Sequence, residues 1–128
     1  MATVAVKMNP VSWFEIPVRD LKRARKFYEK VLDRELKLES MDQYEMAFFP
    51  MESGAPGAAG TLIKGETYSP SSAGTVVYFT VDDIDETLRR ITANGGKTVL
   101  PKKSIGKYGF IAHFEDTEGN RLALHSMQ

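Results

Sequence analysis

At 128 residues the chain suits one domain with a core of its own, and 42% hydrophobic with 27% charged residues is ordinary for a globular protein. Lys plus Arg equals Asp plus Glu at 17 each, so the bulk charge argues against nucleic acid or an anionic membrane as a partner. There is no cysteine, which excludes disulfides, thiolate nucleophiles and cysteine-ligated zinc.

The stretch Met1 to Lys7 is too short and interrupted for a signal peptide, and no apolar run nears the roughly 18 residues of a membrane span. A cytoplasmic protein is therefore expected. Val11 to Val18, "VSWFEIPV", reads as a strand with Phe14, Ile16 and Val18 on one face and Trp13, Glu15 and Pro17 on the other. Asp20 follows as an N-cap. Leu21, Ala24, Phe27, Tyr28, Val31 and Leu32 then recur at three- and four-residue steps, the spacing of a helix with one buried stripe. Its basic run, Lys22 to Lys26, belongs on the solvated face with glutamates as partners. Glu35 to Ser40 and Tyr44 to Phe49 read as strands, Met51 to Gly60 as a Gly/Ala/Pro loop, Thr61 to Lys64 as a fourth strand and Glu66 to Gly74 as a polar linker.

The order then starts again. Thr75 to Val81, "TVVYFTV", is a strand, and Asp83 with Glu86 forms a capping pair. Ile84, Leu88 and Ile91 make the stripe of a second helix, which Asn94-Gly95-Gly96 ends. Lys97 to Leu100 is a short strand and Pro101 to Gly109 a loop. Phe110 to Glu115 and Asn120 to His125 are strands joined by the turn "DTEG". The pattern is one module, used twice, and its period is too long for a solenoid. The expected fold is a single α+β domain of two tandem βαβββ modules, residues 10–66 and 74–126. They would form a cupped mixed sheet with helices on the outer face.

The doubled module, the opening "FEIPVRDLKRARKFYEKVL", the restart "FTVDDID" and the closing "FEDTEGNRLALH" resemble the vicinal-oxygen-chelate superfamily. Its members include glyoxalase I, extradiol dioxygenases, fosfomycin-resistance enzymes and bleomycin-resistance binding proteins. The resemblance runs from Pro10 to Ser126. It implies a cup often completed by a second subunit, hence a homodimer. It also implies, in metal-using members, ligands on the first and last strands of each module, commonly His and then Glu. The matching positions here are Trp13, Val76 and Ala123, and "GTLIK" in the fourth strand offers no carboxylate. An indole, an alkyl group and a methyl group cannot ligate a divalent ion.

The fold hosts many activities, so function rests on the cup itself. Leu122 and Leu124 should face the helices, which puts Ala123 and His125 on the other side. With Phe114 set across from Leu122, His113 sits across from Ala123, also on the cup. The cup-side set is then Trp13, Glu15, Val76, Tyr78, Thr80, Ile111, His113 and His125. His113 and Glu15 are candidate catalytic residues, an acid–base pair. Trp13, Tyr78, His125 and Val76 are candidate ligand-binding residues. A divalent metal on His113, His125 and Glu15 is the alternative, since diagonal strand neighbours lie roughly 7–8 Å apart. Beside these stand plain roles: hydrogen-bonded strand histidines, a salt-bridged Glu15, and aromatic packing for Trp13 and Tyr78. The loops "MESGAPGAAG" and "PKKSIGKYG" are candidate lids, the second with Lys102, Lys103 and Lys107 available to an anionic ligand. The first expectation is a metal-free protein with no cofactor, binding a small organic ligand. The rivals are a glyoxalase- or dioxygenase-like enzyme and a module that acts through its surface.

Overall fold

The computed structural model describes residues 8–128. Strand β1 (Trp13–Pro17) leads into helix α1 (Leu21–Leu32), followed by β2 (Lys37–Met41), β3 (Tyr44–Phe48) and β4 (Ala59–Lys64). The second half repeats the order with β5 (Tyr78–Thr80), α2 (Ile84–Ala93), β6 (Lys97–Ser104), β7 (Phe110–Glu115) and β8 (Arg121–Ser126). Each half makes a four-stranded mixed sheet with the same topology, β1-β4-β3-β2 and β5-β8-β7-β6. In each, the first strand runs parallel to the last, and the remaining pairings are antiparallel. The fold is α+β. Among the described residues no helix is long and apolar enough to cross a membrane.

Both helices start on an aspartate held in extended backbone. Asp20 accepts the Arg23 N–H and Asp83 the Glu86 N–H, each at 3.0 Å. The second cap is half of a capping box. The Glu86 side chain does not turn back to the cap but pairs with Arg89 at 2.7 Å and Arg90 at 3.6 Å. Gly95 at φ +98 ends α2 as its sequence suggests, whereas α1 ends on Asp33 in the left-handed region without a glycine.

The helix-bearing faces of both sheets meet in one core. Ile16, Val18, Leu62 and Phe49 from the first sheet share it with Ala112, Phe114, Leu122 and Leu124 from the second. Aromatic rings cross the boundary. Tyr28 of α1 packs on Phe49 at 5.6 Å and on Phe79 at 5.9 Å, and Phe27 packs on Phe114 at 6.3 Å. Burying each such side chain contributes about 1.5–3 kcal/mol, so the shared core binds the modules together. Gly60 lets β1 and β4 approach here, because a Cβ on it would lie 2.7 Å from the Phe14 ring.

Two boundaries differ from expectation. Strand β6 runs through Pro101 to Ser104, where a loop was expected. It is an edge strand with register shifts after Thr98 and after Leu100. Proline survives in such a strand because a bulge frees its position from donating to the ladder. Strand β5 is shorter than the run Thr75 to Val81, although single backbone bonds from Val77 and Val81 extend its pairing with β8.

A second-half turn locks the first half in place. Asn120 donates to the Pro17 carbonyl at 2.7 Å. Glu118 accepts the backbone N–H groups of Arg19 and Asp20, each at 2.9 Å, and the Arg23 guanidinium at 2.7 and 3.0 Å. Buried Asp116 accepts from the Tyr28 hydroxyl at 2.6 Å and from the backbone N–H groups of Glu118 and Asn120.

Candidate functional site on the second sheet

Register lays out the concave face of the second sheet in three rows. The middle row is Leu100, His113, Ala123 and Tyr78. Lys97, Glu115 and Arg121 form the row nearer the β7–β8 turn, and Lys103, Ile111, His125 and Thr80 the row beyond. Directly opposed residues share a face, so all of these side chains look away from the shared core. Pairing of Phe114 with Leu122 and of His113 with Ala123 is as the sequence suggests.

Tyr78 and His113 stand on strands that both flank β8, roughly 9–10 Å apart by strand spacing. They nonetheless meet, Oη to Nε2 at 3.0 Å with the rings perpendicular, because Ala123 between them is only a methyl group. Ala123 itself is fully buried beneath. On its other nitrogen, Nδ1, His113 accepts the Arg121 Nε–H at 3.2 Å. A ring nitrogen that accepts carries no hydrogen, so the imidazole is neutral with its hydrogen on Nε2. That hydrogen goes to the Tyr78 oxygen, which leaves the phenol's own hydrogen free to point outward. Burial, and then the Arg121 charge, holds His113 below the ordinary imidazole value, which keeps the ring neutral at pH 7.

His125 has its own partner. Its Nε2 lies 2.7 Å from the Tyr108 carbonyl. A carbonyl only accepts, so the His125 Nε2 carries a hydrogen and donates it. Val76 precedes β5, half-buried, and Tyr78 is 47% exposed. A groove of about 730 Å³ between the modules has Tyr78 and Thr80 in its wall together with Phe14, Phe49 and Phe79.

The first sheet holds Trp13 and Glu15. Trp13 packs on Phe48 at 5.8 Å. Tyr68, from the linker, donates to Glu15 at 2.6 Å and packs edge-on to Tyr44 at 5.7 Å. The hydrogen bond to Glu15, more than burial, pushes the Tyr68 phenol up. Beneath them the Thr61 hydroxyl is buried without a partner among the described residues. The linker thus lies against this face, while among the described residues no such strap crosses the second sheet's face.

Two expected groupings are therefore not assembled. Glu15 is engaged by Tyr68 on one sheet, and His113 by Tyr78 and Arg121 on the other, so no hydrogen bond links this acid–base pair. Among the described residues of one chain no three His, Cys, Asp or Glu side chains come together as a metal site, so His113, His125 and Glu15 are not brought together within it. The physical reason is that the two concave faces belong to separate sheets joined through their helix-bearing sides. Arg121 was missed by sequence reasoning, although it lies two residues before Ala123 and therefore on the same face. Tyr68 was missed as part of a polar linker.

The model of the Glyoxalase/Bleomycin resistance protein/Dioxygenase superfamily matches residues 10–124. The chain belongs to this superfamily. A glyoxylase-like domain-containing protein of Didymella fabae is 30% identical over 118 residues, 89% of this chain and 91% of that one. Among solved structures, a glyoxylase/bleomycin resistance protein/dioxygenase domain from Frankia sp. EAN1pec superposes with a TM-score of 0.73 at 19% identity, covering 95% of this chain and 100% of that one. A glyoxalase I mutant from Zea mays gives a TM-score of 0.69 at 21% identity. There the match covers 92% of this chain and 46% of the longer maize chain. Trp13, Val76 and Ala123, the positions that the resemblance marks for metal ligands, offer no ligating atom, and fully buried Ala123 lies under the Tyr78–His113 contact.

Proposed function

We propose that this superfamily member binds a small organic molecule on the concave face of the second sheet, without a resident metal, as a cytoplasmic homodimer. The Tyr78–His113–Arg121 chain carries this reading. It fixes polar donors on an open face beside a groove large enough for a small ligand. Chelator-treated protein should gain melting temperature saturably with at least one member of a panel of organic compounds of every charge. Near 100 times Kd the gain corresponds to roughly 2.7 kcal/mol. The gain should vanish in Tyr78→Ala. Stabilisation that appears only after Mn²⁺, Ni²⁺, Zn²⁺ or Fe²⁺ is added would defeat the metal-free reading.

One observation favours a second reading, an enzyme that transfers a proton. Tyr78 and His113 are hydrogen-bonded at 3.0 Å, so the phenol can give its proton to a substrate oxygen while the His113 Nε2–H stabilises the phenolate, which regains a proton from solvent after the product leaves. In that case the acid is Tyr78 with His113 as its supporting donor, in place of the Glu15–His113 pair. Turnover of a bound compound that stops in Tyr78→Phe while binding persists would select this reading over simple binding.

A further inference from the structure

The rows of the second sheet are unbalanced in charge, although the chain as a whole sums to zero. Arg121, Lys97 and Lys103 share the face with one carboxylate, Glu115. None of the four takes part in an ion pair among the described residues, and the four ion pairs that do form lie elsewhere. Even Glu115, opposite Arg121 in the register, does not reach it. Arg121 is half-buried yet spends its Nε–H on a neutral imidazole, and neither Nη group has an acceptor among the described residues. One row away the Tyr78 phenol accepts from His113 and has its hydrogen to give. Two kinds of donor, a planar fork and a hydroxyl, thus stand on the two nitrogens of one imidazole, and among the described residues neither the Nη groups nor the phenol hydrogen has an acceptor.

We infer that the second sheet's concave face is a binding site for an organic carboxylate, with Arg121 and Tyr78 as its anion-recognising residues. The inference rests on the reading that this face binds small molecules. It names the ligand class. A carboxylate supplies two coplanar acceptor oxygens, which match a guanidinium fork and leave a lone pair for the phenol. His113 is a positioning residue. It anchors Arg121 at Nε and turns the phenol hydrogen outward.

The test compares benzoate with benzamide, benzylamine and inorganic sulfate, by melting temperature and titration calorimetry, with the His113 ring resonances as reporter. Benzoate should bind saturably and shift the His113 signals. Benzamide should bind about tenfold more weakly or worse, as loss of a charge-assisted hydrogen bond implies. Benzylamine should not bind, and sulfate should bind more weakly than benzoate. Arg121→Gln should weaken benzoate at least about tenfold and abolish the preference over benzamide. Tyr78→Phe, which keeps every charge, should weaken benzoate severalfold and guards against a folding defect in the arginine variant. Equal binding of benzoate and benzamide, sulfate matching benzoate, or full benzoate affinity in folded Arg121→Gln would each overturn the inference. Neutral compounds that shift His113 where benzoate does not would overturn the carboxylate alone. Failure of every compound of any charge would bring down the small-molecule reading with it.

Discussion

Ala123 shows how one small side chain decides what its neighbours can do. A larger residue there would part Tyr78 from His113, and with them the orientation that His113 gives to Arg121. His113 itself is not a core residue. His113→Ala should leave a folded protein, with stability changed by no more than about 1 kcal/mol, measured by denaturant melts. A large loss would show that the ring is structural. Its titration carries a second prediction. Because its value in the fold lies below the ordinary 6.5, the neutral ring's contribution is complete above that value and fades as pH falls through the lowered one. Histidine NMR should give a midpoint below 6.5 that rises in Arg121→Gln, since the Arg121 charge is one of its two causes. No rise would mean that burial alone sets it. The faces of Trp13, Tyr78, His113 and His125 were legible because a strand alternates with period two. That Glu15 would be taken by Tyr68 was not legible, since a linker has no period and the contact spans 53 residues.

At the scale of elements, the segment Asp116 to Asn120 reads as a solvated hairpin turn, four polar residues and a glycine. In the fold Asp116, Glu118 and Asn120 are each 5% exposed or less. Their partners lie up to 103 residues away, which no local pattern reveals. For Glu118 burial alone would push the carboxyl up. The Arg23 guanidinium and the Asp20 and Arg19 N–H groups outweigh it and hold the carboxyl down to about 2. The sign follows: the carboxylate stabilises the fold above the ordinary 4.5, and this is lost as pH falls from there toward 2. Asp116 runs the other way, because burial raises its value and acid relieves the cost of its charge. Glu118→Gln should cost on the order of 2–3 kcal/mol at neutral pH and flatten the loss of stability between pH 4.5 and 2. Parallel stability–pH curves for the variant and the parent would refute the role given to Arg23. Both helices and all eight strands were readable from hydrophobic period and caps. Strand β6 was cut short at Pro101 because the rule that proline ends a central strand does not hold on a bulged edge.

For the whole molecule, the repeated module gives two concave faces that are not equivalent, one strapped by the linker and one that is open among the described residues. Among the described residues, strands β1 and β5 each pair on one side only, β1 with β4 and β5 with β8. Such edges need covering, and a second copy would do it. Light scattering at tens of micromolar should give a dimer, and a monomer mass would refute it. The connectivity also sets an order of assembly. A ribosome delivers β8 after the seven other strands, yet β8 lies between β5 and β7 and carries Arg121 and His125. Until it emerges, β5 has no partner, and the turn that closes over Tyr28 and Pro17 is incomplete. During synthesis the nascent chain therefore holds its first helix and the face that carries Tyr78 and His113 half-made. Folding of both modules is then expected as one late, concerted event, with chaperones the natural guardians of the interval.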